Sequence, residues 1–464
     1  MVFDSTVFLV IFLPISIVLY YLTPAKFKNL MLVFVSAVFY AWSGPVHFLL
    51  LAAVVLWNFA GGKLVNRGRK NKQAGKTTAI VVIVDLLILV VFKYTGQILS
   101  LTGNALNDNR FFLIPIGLSF FMLQNIAYIA DVCRGDAKPQ KSFFDYAAFI
   151  MMFPKIVAGP LVPYSEFGDQ IIRRRHSWNK FAEGCLRFVR GLSKTVILGS
   201  AFKEMFNVFY AFGASQTSVL SAWLGSAAFA MWMFFSLAGY CDMAVGLGEI
   251  FGFEFPENIN YPWMSTGIMD YWSRWMSTLW KWFCSYVYLP LCGGNPASQM
   301  GFLSLVITWI LIGLWHGLNV TFVLWGILFA VLLYLEGFVF QQISAKIPSV
   351  IRWLFTIIIL LVSWVFFFSP SVGDAFSYLG LMSGIGGHGI VDGRAISMIK
   401  TYGFLWITGI LFSTPFIGNV FERVVSGEGR WKTVVNCIVY VLLTFLCFSR
   451  ITSGSAGEFF YFRF

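Results

Sequence analysis

His316 carries the strongest hint of chemistry in this sequence. It lies in the stretch Gly313-Leu-Trp-His-Gly-Leu-Asn319, inside an otherwise apolar segment running from Met300 to Ala330. An ionisable side chain placed at bilayer depth is costly and points to function. A buried neutral imidazole has the chemistry of a general base. The competing reading is structural: a neutral imidazole hydrogen-bonded to a neighbouring helix. Gly313 and Gly317 leave room for another backbone or a ligand to come close. The other three histidines, His47, His176 and His388, fall at turns or in polar stretches and read as solvated loop residues. Asp242 and Glu249 are carboxylates in apolar surroundings. Buried, each needs a partner, and Arg274 or Lys281 are candidates, with a structural ion pair at least as good a reading as a catalytic one. The sequence shows no glycine-rich phosphate loop, no Ser-His-Asp set and no ligand spacing for a metal. The seven cysteines are scattered without a CxxC pair, so they read as packed thiols, with no disulfide framework.

The elements that hold these residues must be membrane helices. Of 464 residues, 58% are hydrophobic and only 12% charged, with a mean hydropathy of +0.76. Soluble domains carry roughly a quarter charged residues. At roughly 20 residues per span, the length accommodates about ten to thirteen transmembrane or re-entrant helices. The 51 Phe and 17 Trp suit lipid-facing surfaces with interfacial belts. The net charge of +12 fits loops held against anionic lipid, and no nucleic-acid-binding motif accompanies it.

In order, a retained first helix is predicted over residues 7–22, followed by apolar runs at 30–42 and 46–60 broken at Ser43-Gly44-Pro45. Lys63, Arg67, Arg69, Lys70, Lys72 and Lys76 then read as a solvated basic loop. The positive-inside rule makes this loop cytoplasmic and places the N-terminus outside. Spans follow at 77–94 and 111–133, separated by a polar stretch with Asn104, Asn107 and Asn109. Residues 153–163 hold three prolines and Gly159, which predicts a re-entrant segment. The basic stretch from Arg173 through Lys194 predicts a cytoplasmic interfacial helix. Further spans are expected at 218–238, 320–340, 350–368, 402–417 and 434–448. The Trp-rich region 253–288 reads as interfacial or re-entrant. No internal repeat or soluble domain is evident, and the whole chain, 1–464, reads as a single domain.

Several motifs together carry a resemblance. They are Pro115-Ile-Gly-Leu-Ser-Phe-Phe121 with Gln124, Asp131-Val-Cys-Arg-Gly135, Phe153-Pro-Lys-Ile-Val-Ala-Gly-Pro160 and Gly239-Tyr-Cys-Asp-Met-Ala-Val-Gly-Leu-Gly248. Further on come Tyr271-Trp-Ser-Arg-Trp275, Tyr286-Val-Tyr-Leu-Pro290 with Gly293-Gly-Asn295, and Gly313-Leu-Trp-His-Gly317 through Trp325-Gly326. In this order the chain resembles the membrane-bound O-acyltransferase family, and within it the alginate O-acetylation branch. The lipoteichoic acid D-alanyl transfer protein is a more distant likeness.

The resemblance implies an all-α polytopic membrane fold, a helical ring around a thin core with a tunnel. His316 matches the family's catalytic histidine. Trp315, Asn319, Asp242, Tyr240, Arg274, Trp275 and Lys281 become candidates to line the substrate path, Arg274 and Lys281 as contacts for donor phosphates or as interface anchors. No bound cofactor is implied. The donor would be acetyl-CoA or another acyl thioester from the cytoplasm. The acceptor would be an exported or cell-surface polysaccharide, reached through an extracellular acyltransferase partner, with membrane lipid around the protein. The chain departs from the family pattern at Arg274-Trp275-Met276, where a second histidine is usual, at Cys284-Ser285 in place of Arg-Asp, and at Ser236-Leu-Ala238 before the Gly-Tyr motif. Methionine neither titrates nor donates a hydrogen bond, so any role of that histidine is lost or moved. The alternative reading is therefore a scaffold that relays an acyl group for a partner. A secondary transporter would need two related halves with paired broken helices.

Overall fold

The computed structural model describes residues 1–101, 114–157, 159–211, 217–297, 300–340, 346–386, 389–425 and 430–454. Helices account for the regular structure, and no strand occurs among the described residues. Seven helices there are long and apolar enough to cross a membrane: Pro45–Lys70, Ala74–Leu99, Val219–Ile250, Val320–Val339, Ser349–Phe368, Gly393–Phe412 and Thr433–Thr452. Two shorter apolar helices, Phe8–Leu22 and Gly301–His316, join them. Their outward faces carry Leu, Ile, Val and Phe, such as Leu49, Ile80, Phe355, Phe404 and Phe445. Such a surface is stable against hydrocarbon and not against water. The protein is a polytopic, all-helical membrane protein.

By internal packing the described residues form two units, Met1–Arg190 with Tyr240–Glu257, and Gly191–Gly239 with the described residues from Asn258 onward. In the first unit Phe3, Phe8, Phe12, Phe39 and Phe153 form a cluster with ring centroids 5.1–6.3 Å apart. Several polar groups buried between its helices are hydrogen-bonded, which offsets the cost of burial in an apolar medium. Asn58 Nδ2 donates to Asp85 Oδ1 at 2.9 Å and Lys93 Nζ to Ser119 Oγ at 3.0 Å. The expected broken segment is present: a four-residue helix, Phe153–Ile156, is followed by non-helical backbone over residues 159–163 and then by the helix Tyr164–Ile172. Gly117, at φ +71°, approaches it so closely that a Cβ would strike the carbonyl oxygen of Ile156.

Several expectations need correction. Of the 111–133 span, described from residue 114, the helix is Leu118–Arg134, after Pro115 and the left-handed Gly117; residues 111–113 and the polar stretch with Asn104, Asn107 and Asn109 lie outside the described residues, as does His388. Lys63, Arg67, Arg69 and Lys70 are not loop residues: the helix Pro45–Lys70 continues through them, and three of them end it, where cations complement the helix dipole. His47 is not solvated; it sits in the first turn of that helix and is 7% exposed. The Gly239–Gly248 motif does not interrupt the chain, because Val219–Ile250 is one helix of 32 residues. Its glycines permit close approach instead: a Cβ at Gly239 would collide with Thr195 Oγ1, and one at Gly246 would lie 2.6 Å from the carbonyl oxygen of Gly184. The span placed at 402–417 is Gly393–Phe412, followed after Pro415 by a separate helix, Phe416–Val425. A helix over Val372–Met382 has no counterpart in the sequence reading.

Candidate active site

The second unit holds a helical hairpin made of Gly301–His316 and Val320–Tyr334. Helical glycines bring its backbones together. A Cβ on Gly313 would collide with the carbonyl oxygen of Phe322, and one on Gly326 with that of Trp309. Gly317 terminates the first helix, its N–H donating to Gly313 O. Asn319 caps the second, its Oδ1 accepting from the Thr321 N–H at 3.1 Å. The same amide donates through Nδ2 to Pro370 O at 2.7 Å, which ties the turn to the end of helix Ser349–Phe368.

His316 is thus the last residue of the first hairpin helix, at a turn rather than in mid-span, and is 4% exposed. Aromatic rings enclose it. Its imidazole centroid lies 4.9 Å from Trp315, 4.9 Å from Phe367, 5.4 Å from Trp325 and 6.0 Å from Phe322. Ring packing continues outward. Phe367 meets Trp364 at 5.2 Å, Trp364 meets Trp275 at 5.6 Å, and Trp275 stacks on Tyr271 at 5.8 Å with planes 13° apart. Trp272, Trp309, Trp325 and Phe329 form the adjoining wall, with centroids 4.7–6.0 Å apart. No Lys, Arg, Asp or Glu is among these rings, so the site suits a neutral, apolar-walled group such as a short acyl chain.

Trp315, Trp275 and Asn319 therefore belong to one packed neighbourhood with His316. Arg274 sits one residue before Trp275 and is committed to Asp270, Nε to Oδ1 at 2.6 Å, one helical turn away. Lys281 is exposed on the helix Ser277–Phe283. Met276, in the place of the usual second histidine, is buried in left-handed backbone at φ +46° and N-caps that helix.

Asp242 and Tyr240 belong to the first unit and have partners there. Asp242 does not pair with Arg274 or Lys281. Its Oδ1 accepts from Arg187 Nη2 at 3.1 Å, and that guanidinium also holds Glu257 at 2.6 Å and Glu249 at 3.7 Å. Tyr240 OH donates to Asp4 Oδ1 at 2.7 Å, and its ring stacks on Phe3 at 5.8 Å. His176 lies in the loop before Trp178, within hydrogen-bond distance of the Tyr20 hydroxyl at 3.0 Å. Burial, with the charges of Lys28 and Arg174 added, lowers its pKa from 6.5 to about 4.

Residues missed in the sequence reading are Phe367, Trp364, Arg187 and Asp4. Arg187 had been read only as part of a basic amphipathic stretch. Phe367 and Trp364 sit in an apolar run with no polar signal, and only the tertiary packing identifies them.

The family model described as MBOAT, membrane-bound O-acyltransferase family, matches residues 118–372, which include the whole hairpin. A protein named "Probable alginate O-acetylase" from Azotobacter vinelandii is 36% identical over 395 residues, covering 83% of this chain and 79% of its own. A peptidoglycan O-acetyltransferase of Helicobacter pylori is 28% identical over 428 residues, covering 83% of this chain and 80% of its own. A teichoic acid D-alanyltransferase of Bacillus subtilis is 28% identical over 247 residues, covering 50% and 60%. Each of these names describes transfer of an acyl group, to alginate, peptidoglycan or teichoic acid in turn. With a family match through the buried histidine hairpin and relatives of this extent, the chain belongs to the membrane-bound O-acyltransferase family and is an acyltransferase.

Proposed function

We propose that the protein is an O-acetyltransferase of the cell membrane. It takes an acetyl group from a cytoplasmic thioester, acetyl-CoA or a similar donor, and delivers it for O-acetylation of an exported or surface polysaccharide. An acyltransferase partner on the outer face completes the transfer. The observation that carries this reading is His316: one titratable ring inside an uncharged aromatic enclosure at a hairpin turn. Relatives named for alginate and peptidoglycan acetylation support the acetyl group and the polymer class.

In this mechanism His316 acts as general base. The acceptor hydroxyl oxygen bonds to the thioester carbon as its proton passes to the imidazole. The carbonyl electron pair moves onto oxygen, and its return expels the thiolate, which receives the proton from His316. General-base assistance of this kind contributes about 10²–10⁴-fold. Trp315, Trp275 and Asn319 shape the enclosure, Asn319 by fixing the turn. Exposed Lys281 is available to donor phosphates. Asp242 and Tyr240 act through the first unit's packing, Asp242 by holding Arg187.

The experiment uses membrane vesicles of both orientations given radiolabelled acetyl-CoA from outside. Inside-out vesicles are expected to accumulate label on lumenal polysaccharide, and right-side-out vesicles to incorporate none. Equal labelling in both would remove the transmembrane route.

A further inference from the structure

Tryptophan N–H groups in the wall beside His316 are buried without an acceptor. The indole Nε1 atoms of Trp272, Trp309, Trp325 and Trp364 have no hydrogen-bond partner among the described residues. Their side chains are nearly sealed, Trp309 at 0% and Trp325 at 2% exposure. Buried indole N–H groups ordinarily find a partner, since leaving a donor unsatisfied costs about 1–3 kcal/mol. Aromatic area alone does not require tryptophan, because phenylalanine fills such walls without a stranded donor. Four stranded donors in the rings around His316 therefore suit a substrate that brings hydrogen-bond acceptors and no charge.

Trp325 is the one of these four placed directly on the imidazole by the ring contacts above. Its ring stands edge-on to His316 at 5.4 Å, with an interplanar angle of 88°. Gly326, next in sequence, locks this turn of the helix against the Trp309 carbonyl, so the indole cannot move away without parting the hairpin. An oxyanion donor has to lie about 3 Å from the oxygen that gains charge, and the base about 3 Å from the attacking hydroxyl. Two rings in contact at 5.4 Å are close enough to serve the two sides of one acyl carbon. The ring contacts around His316 bring an indole N–H donor directly beside the imidazole, and that neutral donor is on hand to stabilise the charge.

We propose that the indole N–H of Trp325 donates to the acyl carbonyl oxygen and stabilises the oxyanion formed when the hydroxyl attacks, making Trp325 a second catalytic residue beside His316. This rests on the acyl-transfer reading given above. It adds a residue, and it predicts where the negative charge goes while the proton goes to His316.

The test replaces Trp325 with β-(3-benzothienyl)alanine, which keeps the ring's shape and exchanges N–H for sulfur. Purified protein in nanodiscs, with the outer-face partner acyltransferase added, is assayed with acetyl-CoA and the acceptor polysaccharide, alongside the same replacement at the exposed Trp178 and His316→Ala. The Trp325 replacement is expected to lower kcat about hundredfold, the range for one oxyanion donor, with KM for acetyl-CoA and the unfolding temperature unchanged. The Trp178 replacement is expected to retain kcat. Wild-type kcat at the Trp325 replacement, or equal losses at both positions, would overturn the proposal. If His316→Ala keeps its activity, the underlying site assignment fails instead. A second measurement needs no substitution: the ¹⁵N-indole proton resonance of Trp325 should move downfield when a ketone analogue of the thioester binds. An unmoved resonance with saturating analogue would also overturn it.

Discussion

Asn319 uses both ends of its amide on structure, Oδ1 on the Thr321 N–H and Nδ2 on Pro370 O. It holds the turn that presents His316. Asn319→Ala is expected to cost about 1 kcal/mol, the usual worth of an N-cap, and to lower transfer without abolishing it. Thermal unfolding in detergent and a transfer assay read the two effects. Arg187 is a different case, because one guanidinium holds Asp242 and Glu257 by hydrogen bonds and lies 3.7 Å from Glu249. Arg187→Met would take the guanidinium away from all three carboxylates, of which Asp242 and Glu249 are about one-fifth exposed. The expected loss is about 2–3 kcal/mol, visible as a lower unfolding temperature. His176 titrates with a folded pKa of about 4 against 6.5 when free. Between those values the unfolded chain binds a proton that the native loop refuses. Its contribution is therefore fully present above pH 6.5 and is lost as pH falls toward 4. His176→Gln should flatten the wild type's decline in unfolding temperature between pH 7 and pH 5.

The hairpin around His316 depends on two helical glycines facing carbonyls. Gly326→Ala must push apart the helices Gly301–His316 and Val320–Tyr334. Overpacking of this kind costs about 1–3 kcal/mol, and transfer should fall further than stability because the Trp325 wall moves relative to His316. Measuring kcat at a temperature where the variant stays folded separates the two. Much of this element was legible: hydropathy located both hairpin helices, and glycines beside a histidine marked it as unusual. The partners were not. Phe367 lies 51 residues beyond His316, Asp4 lies 236 before Tyr240, and Arg187 lies 55 before Asp242. Such pairings are fixed by tertiary packing, and nothing local in the sequence encodes them. Helix ends were misjudged where local signals compete. The cations through Lys70 looked like a loop yet complete a helix, and the Gly239 motif looked like a break yet serves close packing.

On the scale of the whole molecule, composition alone established a helical membrane protein, because a chain with so few charged residues and so many apolar helices has no other stable solution. The motifs in order, each weak alone, identified the family later matched over residues 118–372. The proposed orientation makes a sidedness prediction. With native cysteines replaced, Lys72→Cys should react with a membrane-impermeant maleimide only after permeabilisation, and Trp42→Cys in intact cells. The opposite pattern would invert the orientation and move the donor to the other face.

The most direct test concerns His316. Purified protein in nanodiscs, wild type and His316→Ala at equal amounts and with matching unfolding temperatures, would be given labelled acetyl-CoA, the outer-face partner acyltransferase and acceptor polysaccharide. Loss of at least a hundredfold in transfer rate is the result expected if the imidazole is the base. Transfer within a few fold of wild type would contradict that role and leave the hairpin as scaffold, with the chemistry elsewhere.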